Sequence, residues 1–370
     1  MRGSWDDTCS DGPFMLLGKG EHVAKGIGIG IIGIGMGLAL CPLNRDPNSR
    51  LEVRGLCATR SDRLAAAAGE WNIGFTTTDY RALLQQPGID VIAVYSPDHL
   101  HAEHVLAALQ AGKHVVCTKP MVTTVEDAAA IVRLVDQTGL RLLVGQTMRF
   151  DAQFVTARRL WDDGDVGEII LAEAHYVHDL RDIWERTPWR LQAPQDFMYG
   201  GVSHPVDLLC WFFGDVDEVH ALGRKGNLTP EYPLMDNFLL NLTFTNGVIA
   251  RVLGAYGVVH PPLPMMGLRL YGTKGSLTAD FTDQQGGPVK LVWDKVPQHP
   301  VAVMDFPPEV EGAYGHGPNV LRYMRHFEDC LTRHREPSPN ARDGAKSIAV
   351  CAAAWESIHT RSVVKVRNEF

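Results

Sequence analysis

The sequence predicts an α/β protein in which a doubly wound parallel sheet comes first and an α/β domain with a large open, mostly antiparallel sheet follows. Three observations lead there. Short apolar runs alternate with helical stretches from Gly26 to about Gly145. A glycine-rich turn, Gly33–Gly37, closes the first run. After Phe150 the texture changes to strand-like segments, with Asn246-Gly247 as a hairpin signal between two of them.

The first strands are read at Gly28–Ile34, Leu51–Cys57, Val91–Tyr95, His114–Cys117 and Arg141–Val144. Between them Ser61–Glu70, His99–Ala111 and Val125–Asp136 carry apolar residues at helical spacing. Gly112 follows the second of these as a C-cap glycine would. Near-continuous apolar strands alternating with helices describe a Rossmann sheet covered on both faces. In the second region a helix is expected over Ala152–Trp161. Strands follow at Ile169–His178, Asp217–Gly223, Phe238–Thr245, Val248–Ala255, Gly267–Gly272 and Ser276–Asp280. Helices near Val320–Arg333 and Ala345–His359 close the chain.

A length of 370 residues with 45% hydrophobic and 21% charged residues supplies two ordinary cores. The net charge of −8 and the lack of a basic stripe exclude nucleic acid as an expected partner. The apolar run Gly26–Leu40 is too short and too glycine-rich for a membrane span, so no membrane association is expected. Asp6, Asp7, Asp11 and Glu21 spoil a signal-peptide n-region. Seven scattered cysteines with no C-x-x-C pair fit a reduced, cytoplasmic protein. His99, His101 and His104 lack a matching ligand set, so no metal is expected, and no G-x-S-x-G elbow occurs.

Gly28-Ile29-Gly30-Ile31-Ile32-Gly33 matches G-x-G-x-x-G literally but lies inside the first strand, whereas a dinucleotide fingerprint belongs at the turn after it. The candidate cofactor turn is therefore Gly33, Gly35, Met36 and Gly37, with Leu38 where a third small residue is usual. Glycines let the backbone approach a pyrophosphate, and a following helix offers its free N–H groups. At the end of the second strand, Ala58, Thr59, Arg60 and Ser61 stand where an NAD enzyme usually carries an acid. Thr59 and Arg60 suit a 2′-phosphate, so NADP is slightly favoured over NAD, with Asp62 turning inward as the alternative. The expected organisation is an accessory or disordered arm at 1–24, a dinucleotide-binding domain at 25–147, and a second domain at 148–370, for which a family resemblance implies substrate binding and oligomerisation.

Val94-Tyr95-Ser96-Pro97-Asp98-His99-Leu100-His101 resembles the "strand, then P-x-x-x-H" element of the glucose–fructose oxidoreductase/inositol dehydrogenase (Gfo/Idh/MocA) family. Ala111-Gly112-Lys113-His114-Val115-Val116-Cys117-Thr118-Lys119-Pro120 resembles its A-G-K-H-V-x-x-E-K-P signature. Gly145–Phe150, Gly164–Ile169 and Ser203–Leu208, with its H-x-x-D pattern, support the match. The resemblance implies a nicotinamide-dependent oxidoreductase acting on sugars, inositols, sugar nucleotides or glycosides, in a homo-oligomer such as a dimer or tetramer. It also implies Lys119 and His204 as a polar pair facing the nicotinamide, with Ser96, Pro97 and His101 beside the cofactor crevice. Three positions depart from the family: Thr118 replaces Glu, Gly200 replaces the Asp four residues before the His, and Leu38 replaces a small residue.

The chemistry suits these residue types. Alcohol oxidation needs a base for the hydroxyl proton, and imidazole titrates in the right range. Pro205 and Val206–Phe213 read as a helix start that would hold His204 at the positive end of the dipole. Lys119 can stabilise a developing alkoxide or share its proton. Asp207 is read as orienting His204 or binding a substrate hydroxyl, and equally as a structural helix charge. Arg149 is read as shaping the crevice, or as a domain-linking ion pair. Tyr176, His178, Trp189 and Arg190 are candidates for a sugar pocket. His101 is open between polar packing and a cofactor contact. Two other readings of the same chain remain: a glycoside hydrolase using NAD for transient oxidation, and a non-catalytic ligand sensor.

Overall fold

A computed structural model describes residues 26–187, 189–281, 286–293, 299–301 and 317–370. The expected N-terminal arm lies outside them. The first sheet has six strands: β1 (Ile27–Ile32), β2 (Leu51–Cys57), β3 (Phe75–Thr77), β4 (Val91–Val94), β5 (His114–Thr118) and β6 (Leu142–Gly145). Their order is β3-β2-β1-β4-β5-β6, and every pairing is parallel. The order reverses between β1 and β4, which opens a crevice beyond their C-terminal ends. Helices α1 (Ser61–Trp71), α2 (Tyr80–Gln85), α3 (His101–Gln110) and α4 (Val125–Thr138) connect the strands. Strand β3 and helix α2 were not expected from the sequence, being too short to show a period.

Gly28 and Gly30 are packing positions inside β1. A Cβ on Gly28 would lie 1.8 Å from the Gly88 carbonyl oxygen, and one on Gly30 would lie 3.0 Å from Leu83 Cγ. The literal glycine match there thus reflects close strand–loop and strand–helix contact.

The second sheet gathers β7 (Ile169–Val177), β8 (Val216–Arg224), β9 (Asn237–Phe244), β10 (Ile249–Ala255), β11 (Met266–Gly272), β12 (Gly275–Phe281), β13 (Gly286–Trp293), β14 (His299–Val301) and β15 (Val364–Lys365). Their order is β14-β13-β12-β11-β7-β10-β9-β8-β15, antiparallel throughout except for the β7–β10 pair. Helices α5 (Ala152–Asp162) and α8 (Ser203–Phe213) cover one face, while short helices α6 (Arg181–Arg186) and α7 (Trp189–Gln192) follow β7. The other face carries exposed Leu171, Leu222, Leu239, Ile249 and Tyr271. Registers Leu222↔Leu239 and Ile249↔Leu171↔Tyr271 join these side chains into apolar rows across the strands.

The last two helices return to the first sheet, so residues 148–370 are not a spatially separate unit. In α9 (Gly317–Thr332), Leu321, Met324 and Phe327 share a core with Ile29, Ile31 and Leu40. In α10 (Ala341–Thr360), Ala345 and Ile348 join the first sheet's core, and Val350 and Ala354 join the second's. An Asn340/Asp343 capping box starts α10 at Ala341, a turn earlier than the apolar pattern indicated.

Candidate active site

The crevice begins at the turn after β1. Gly33 has φ +97°, a backbone shape that excludes side chains, and a Cβ there would lie 2.4 Å from the Tyr95 carbonyl oxygen. A Cβ on Gly37 would lie 2.6 Å from Ile31 Cγ2, whereas around Gly35 nothing lies within 4 Å. The turn is thus tight on its inner side and open on its outer side. The segment that follows, Gly37–Arg45, is a 3-10 helix rather than the α-helix expected. Pro42 within it supplies no N–H for a continuing ladder.

Lys119 follows β5, and His204 lies in the first turn of α8. Both side chains line one cavity together with Met36 of the glycine turn, Thr118 and Thr147. Tyr95 and Tyr323 close another side of it, hydroxyl to hydroxyl. Tyr323, on α9, and Tyr95 were not singled out in the sequence: α9 returns from far along the chain, and Tyr95 reads as the end of a core strand.

The Lys119 ammonium donates to the Gly200 carbonyl at 2.6 Å. The local helix geometry explains why that oxygen is available. Residues Met198–Val202 form a π-helical turn that runs directly into α8, and the Ser203 N–H donates back to the Met198 carbonyl. Continuing the same i→i−5 pattern, the Gly200 carbonyl would be served by residue 205, which is Pro205 and has no N–H. The same turn corrects the reading of His204. The helix does not begin freely at Val206; it continues back through Ser203 into the π-turn. His204 is therefore not poised over unsatisfied helix-terminal N–H groups.

Burial and the neighbouring Arg190 charge bring the Lys119 pKa down to about 8, with Asp98 opposing them. Burial also lowers the Arg190 pKa, against Asp98 and Tyr176. Tyr176 presents its ring edge-on to His204 at 5.8 Å and stacks with His178 at 6.2 Å. Tyr176 thus packs beside His204, with His178 behind it, and neither side chain lines the cavity. Arg190 is half-buried and donates to Gln195 Oε1 at 3.1 Å, and the Trp189 side chain lies outside the described residues.

Arg149 and Asp207, expected near the substrate, are occupied with each other. Arg149 Nε and Nη2 donate to Asp207 Oδ2 and Oδ1, each at 2.7 Å, and both side chains are at least 95% buried. Ser347 donates to Asp207 at 3.3 Å, Arg149 donates to Ser338 at 3.1 Å, and Asp343 lies 3.4 Å from Arg149. The pair locks α8, α10 and the segment after β6 together, which is the domain-linking alternative for Arg149 and the structural one for Asp207. His101 is likewise turned inward. Its ring nitrogens meet the carbonyls of Ser96 at 2.8 Å and Pro120 at 2.7 Å, so it ties together the loops after β4 and β5. It holds Ser96-Pro97 and Lys119-Pro120 in place without facing the crevice. The Ser96 hydroxyl is also engaged, with His104 Nδ1 at 2.8 Å.

Residues 27–146 match the family described as "Oxidoreductase family, NAD-binding Rossmann fold", and residues 154–278 match the GFO/IDH/MocA C-terminal domain. The chain belongs to the Gfo/Idh/MocA family. It is an NAD(P)-dependent oxidoreductase. Levoglucosan dehydrogenase of Pseudarthrobacter phenanthrenivorans is 25% identical over 92% of this chain and 97% of its own. Inositol 2-dehydrogenase 3 of Saccharopolyspora erythraea is 28% identical over 83% of this chain and 85% of its own. A solved levoglucosan dehydrogenase in complex with NADH and levoglucosan superposes with a TM-score of 0.82, covering 93% of this chain and 100% of that one, at 21% identity.

The family's nicotinamide dinucleotide fits the residues present. The open outer side of Gly35, the positive φ of Gly33 and a cavity running from Met36 to Lys119 and His204 give the two ends such a molecule requires. At the adenosine end Thr59 and Arg60 are exposed, and Arg60 pairs with Asp62 at 3.2 and 2.5 Å. Of the family departures, Thr118 lines the cavity where the usual acid would stand, and Gly200 leaves Lys119 with a carbonyl in place of a carboxylate. Among the described residues, no cluster of three or more acidic, His or Cys side chains is placed to hold a metal. Within them, no helix is long and apolar enough to cross a membrane.

Proposed function

We propose that this enzyme moves a hydride between a nicotinamide cofactor and a secondary hydroxyl or keto carbon of a sugar, inositol or glycoside. One observation carries this reading: Lys119 and His204, 85 residues apart in sequence, line a single cavity with Met36 of the glycine turn. The bound nicotinamide supplies or accepts the hydride. The chain's own residues manage the proton. The substrate hydroxyl hydrogen-bonds to Lys119 and His204, and the pair takes its proton on oxidation and returns it on reduction. A lysine with a pKa near 8 exchanges a proton at neutral pH far more readily than an ordinary one. His101 keeps the loop bearing Lys119 in register with the loop after β4. Tyr176 and His178 offer the sugar a ring face and a polar edge. Arg149 and Asp207 brace this arrangement from behind.

NADP is favoured over NAD because Arg60, on a surface ion pair, can exchange Asp62 for a 2′-phosphate. The uncovered apolar rows of the second sheet support a homo-oligomer, dimer or tetramer, built on that face. The free, mostly buried thiols support a reduced, cytoplasmic setting. The test is nicotinamide absorbance with purified enzyme across a panel of aldoses, inositols and glycosides, with each cofactor. Cofactor binding without any absorbance change over the panel would remove the proposal. Release of an aryl aglycone without net cofactor turnover would favour the hydrolase reading instead.

A further inference from the structure

Among the described residues that line the cavity, Lys119 brings an ammonium and His204 an imidazole, while the rest are hydroxyl-bearing, glycine or apolar. No aspartate or glutamate is among them. At the two positions where the family carries an acid, Thr118 puts a hydroxyl on the cavity wall, and the Gly200 carbonyl accepts from the ammonium at 2.6 Å. A carbonyl oxygen satisfies an N–H without bringing a negative charge. From neighbouring elements, Asp98 after β4 and Arg190 on α7 act on Lys119 with opposite signs, and neither lines the cavity. Burial pushes the Tyr95 and Tyr323 hydroxyls up, so they stay neutral. With a pKa near 8, Lys119 is mostly protonated at neutral pH.

A nicotinamide ring has two charge states: the oxidised ring is a cation and the reduced ring is neutral. Beside one ammonium, with no anion on the wall, a second cation is disfavoured. The penalty is reciprocal: whatever the ammonium costs the oxidised ring, the ring costs the ammonium.

We propose that the Lys119 ammonium and the oxidised cofactor exclude one another, so that the reduced form binds in preference and binding of the oxidised form expels the Lys119 proton. This inference rests on the dehydrogenase reading and deepens it: the redox state of the cofactor sets whether Lys119 stands ready as base or as acid. In oxidation, the substrate C–H gives a hydride to the cationic ring. The substrate O–H gives its proton to the Lys119 amine, and a carbonyl is left. The ring loses its positive charge as Lys119 gains one, so the cavity holds a single positive charge before and after. Reduction is the reverse, with Lys119 giving the proton back.

The experiment is equilibrium titration of the full chain with the reduced and oxidised forms of NAD and of NADP. Lys119 can shed its proton at a cost set by its pKa near 8, so the preference for the reduced form at neutral pH should be roughly 5- to 10-fold. It should fade toward one as pH rises through about 8. Lys119→Met should bring the ratio near one by improving binding of the oxidised form. Thr118→Glu should lower it by adding an anion to the wall, whereas neutral Thr118→Gln should leave it as it is. Calorimetry in buffers of different ionisation enthalpy counts protons. At neutral pH the oxidised form should release roughly half a proton or more beyond the reduced form, and Lys119→Met should abolish the difference. Equal affinity for the two forms, or equal proton release, overturns the inference. So does a preference that Lys119→Met leaves unchanged, or a drop as large with Thr118→Gln as with Thr118→Glu. Should Lys119→Met fail to fold, the two Thr118 variants decide. Failure of the parent reading looks different: the preference for reduced cofactor is intact, yet no sugar, inositol or glycoside changes the absorbance.

Discussion

Two buried cations of the molecule, Lys119 and Arg149, have opposite surroundings. Arg149 meets a carboxylate through two 2.7 Å hydrogen bonds, with a second acid and two serines completing the cluster. Lys119 meets one backbone carbonyl and faces another cation. In the first case burial of charge is compensated by a fixed partner, and the Arg149 pKa is driven above its ordinary value by the Asp207 and Asp343 charges despite desolvation. In the second, compensation is incomplete and the lysine is held ready to give up its proton. The contrast separates a structural ion pair from a chemical group better than residue type does.

The largest effect expected from this contrast is on turnover. Lys119→Met removes the proton carrier, and kcat should fall by roughly 10²- to 10⁴-fold. Thermal stability should be unchanged or raised, since a poorly compensated cation leaves the interior. Cofactor titration and a melting curve alongside the assay check this. A variant that loses stability in step with activity would make Lys119 a structural cation like Arg149.

The reverse pattern is expected at the ion pair. Arg149→Met leaves the Asp207 carboxyl buried without its guanidinium and should cost about 3–5 kcal/mol of stability. Asp207→Leu should cost a similar amount, while the double replacement recovers much of the loss, because the two residues act on one another. Denaturant unfolding of the four proteins measures that coupling. Additive losses would show that the pair is not the lock between α8 and α10.

A third way to sharpen the contrast is pH. Carbonyl reduction needs the protonated Lys119, so its rate should fall as pH rises through about 8, while alcohol oxidation should rise over the same range. Gly200→Asp gives the ammonium an opposite charge, and both midpoints should move up by about 1 pH unit or more. Midpoints that ignore the Gly200 substitution would assign the titration to another group.

How much of this could be read beforehand differs between the two cations. The repeated apolar runs announced the parallel sheet, because a strand buried on both faces must be apolar along its whole length. Lys119 and His204 stood out only through motif resemblance, since nothing local in a Lys-Pro or His-Pro pair says what lies opposite. Asp207 and Arg149 carried their partner ambiguity to the end, because a bidentate contact across 58 residues leaves no periodic trace. Tyr323 was invisible for the same reason, being placed by the return of α9. The π-turn before α8 was misread as an ordinary helix start, as Pro205 signals a first turn whatever precedes it.

The smallest effect expected lies at the rim of the Arg149 cluster. The Asn340 side chain accepts from the Asp343 N–H at 3.0 Å, and Asp343 Oδ2 accepts from the Asn340 N–H at 2.9 Å. That same Asp343 oxygen lies 3.4 Å from Arg149 Nη1. The cap therefore fixes both the start of α10 and one of the acids around the guanidinium. Asn340→Ala should cost about 1 kcal/mol, seen as a small fall in melting temperature with kcat nearly unchanged. Combined with Arg149→Met, the cap should matter less than it does alone, because Asp343 then has no cation to be held against. Full additivity of the two would confine Asp343 to capping and leave Asp207 alone to hold the arginine.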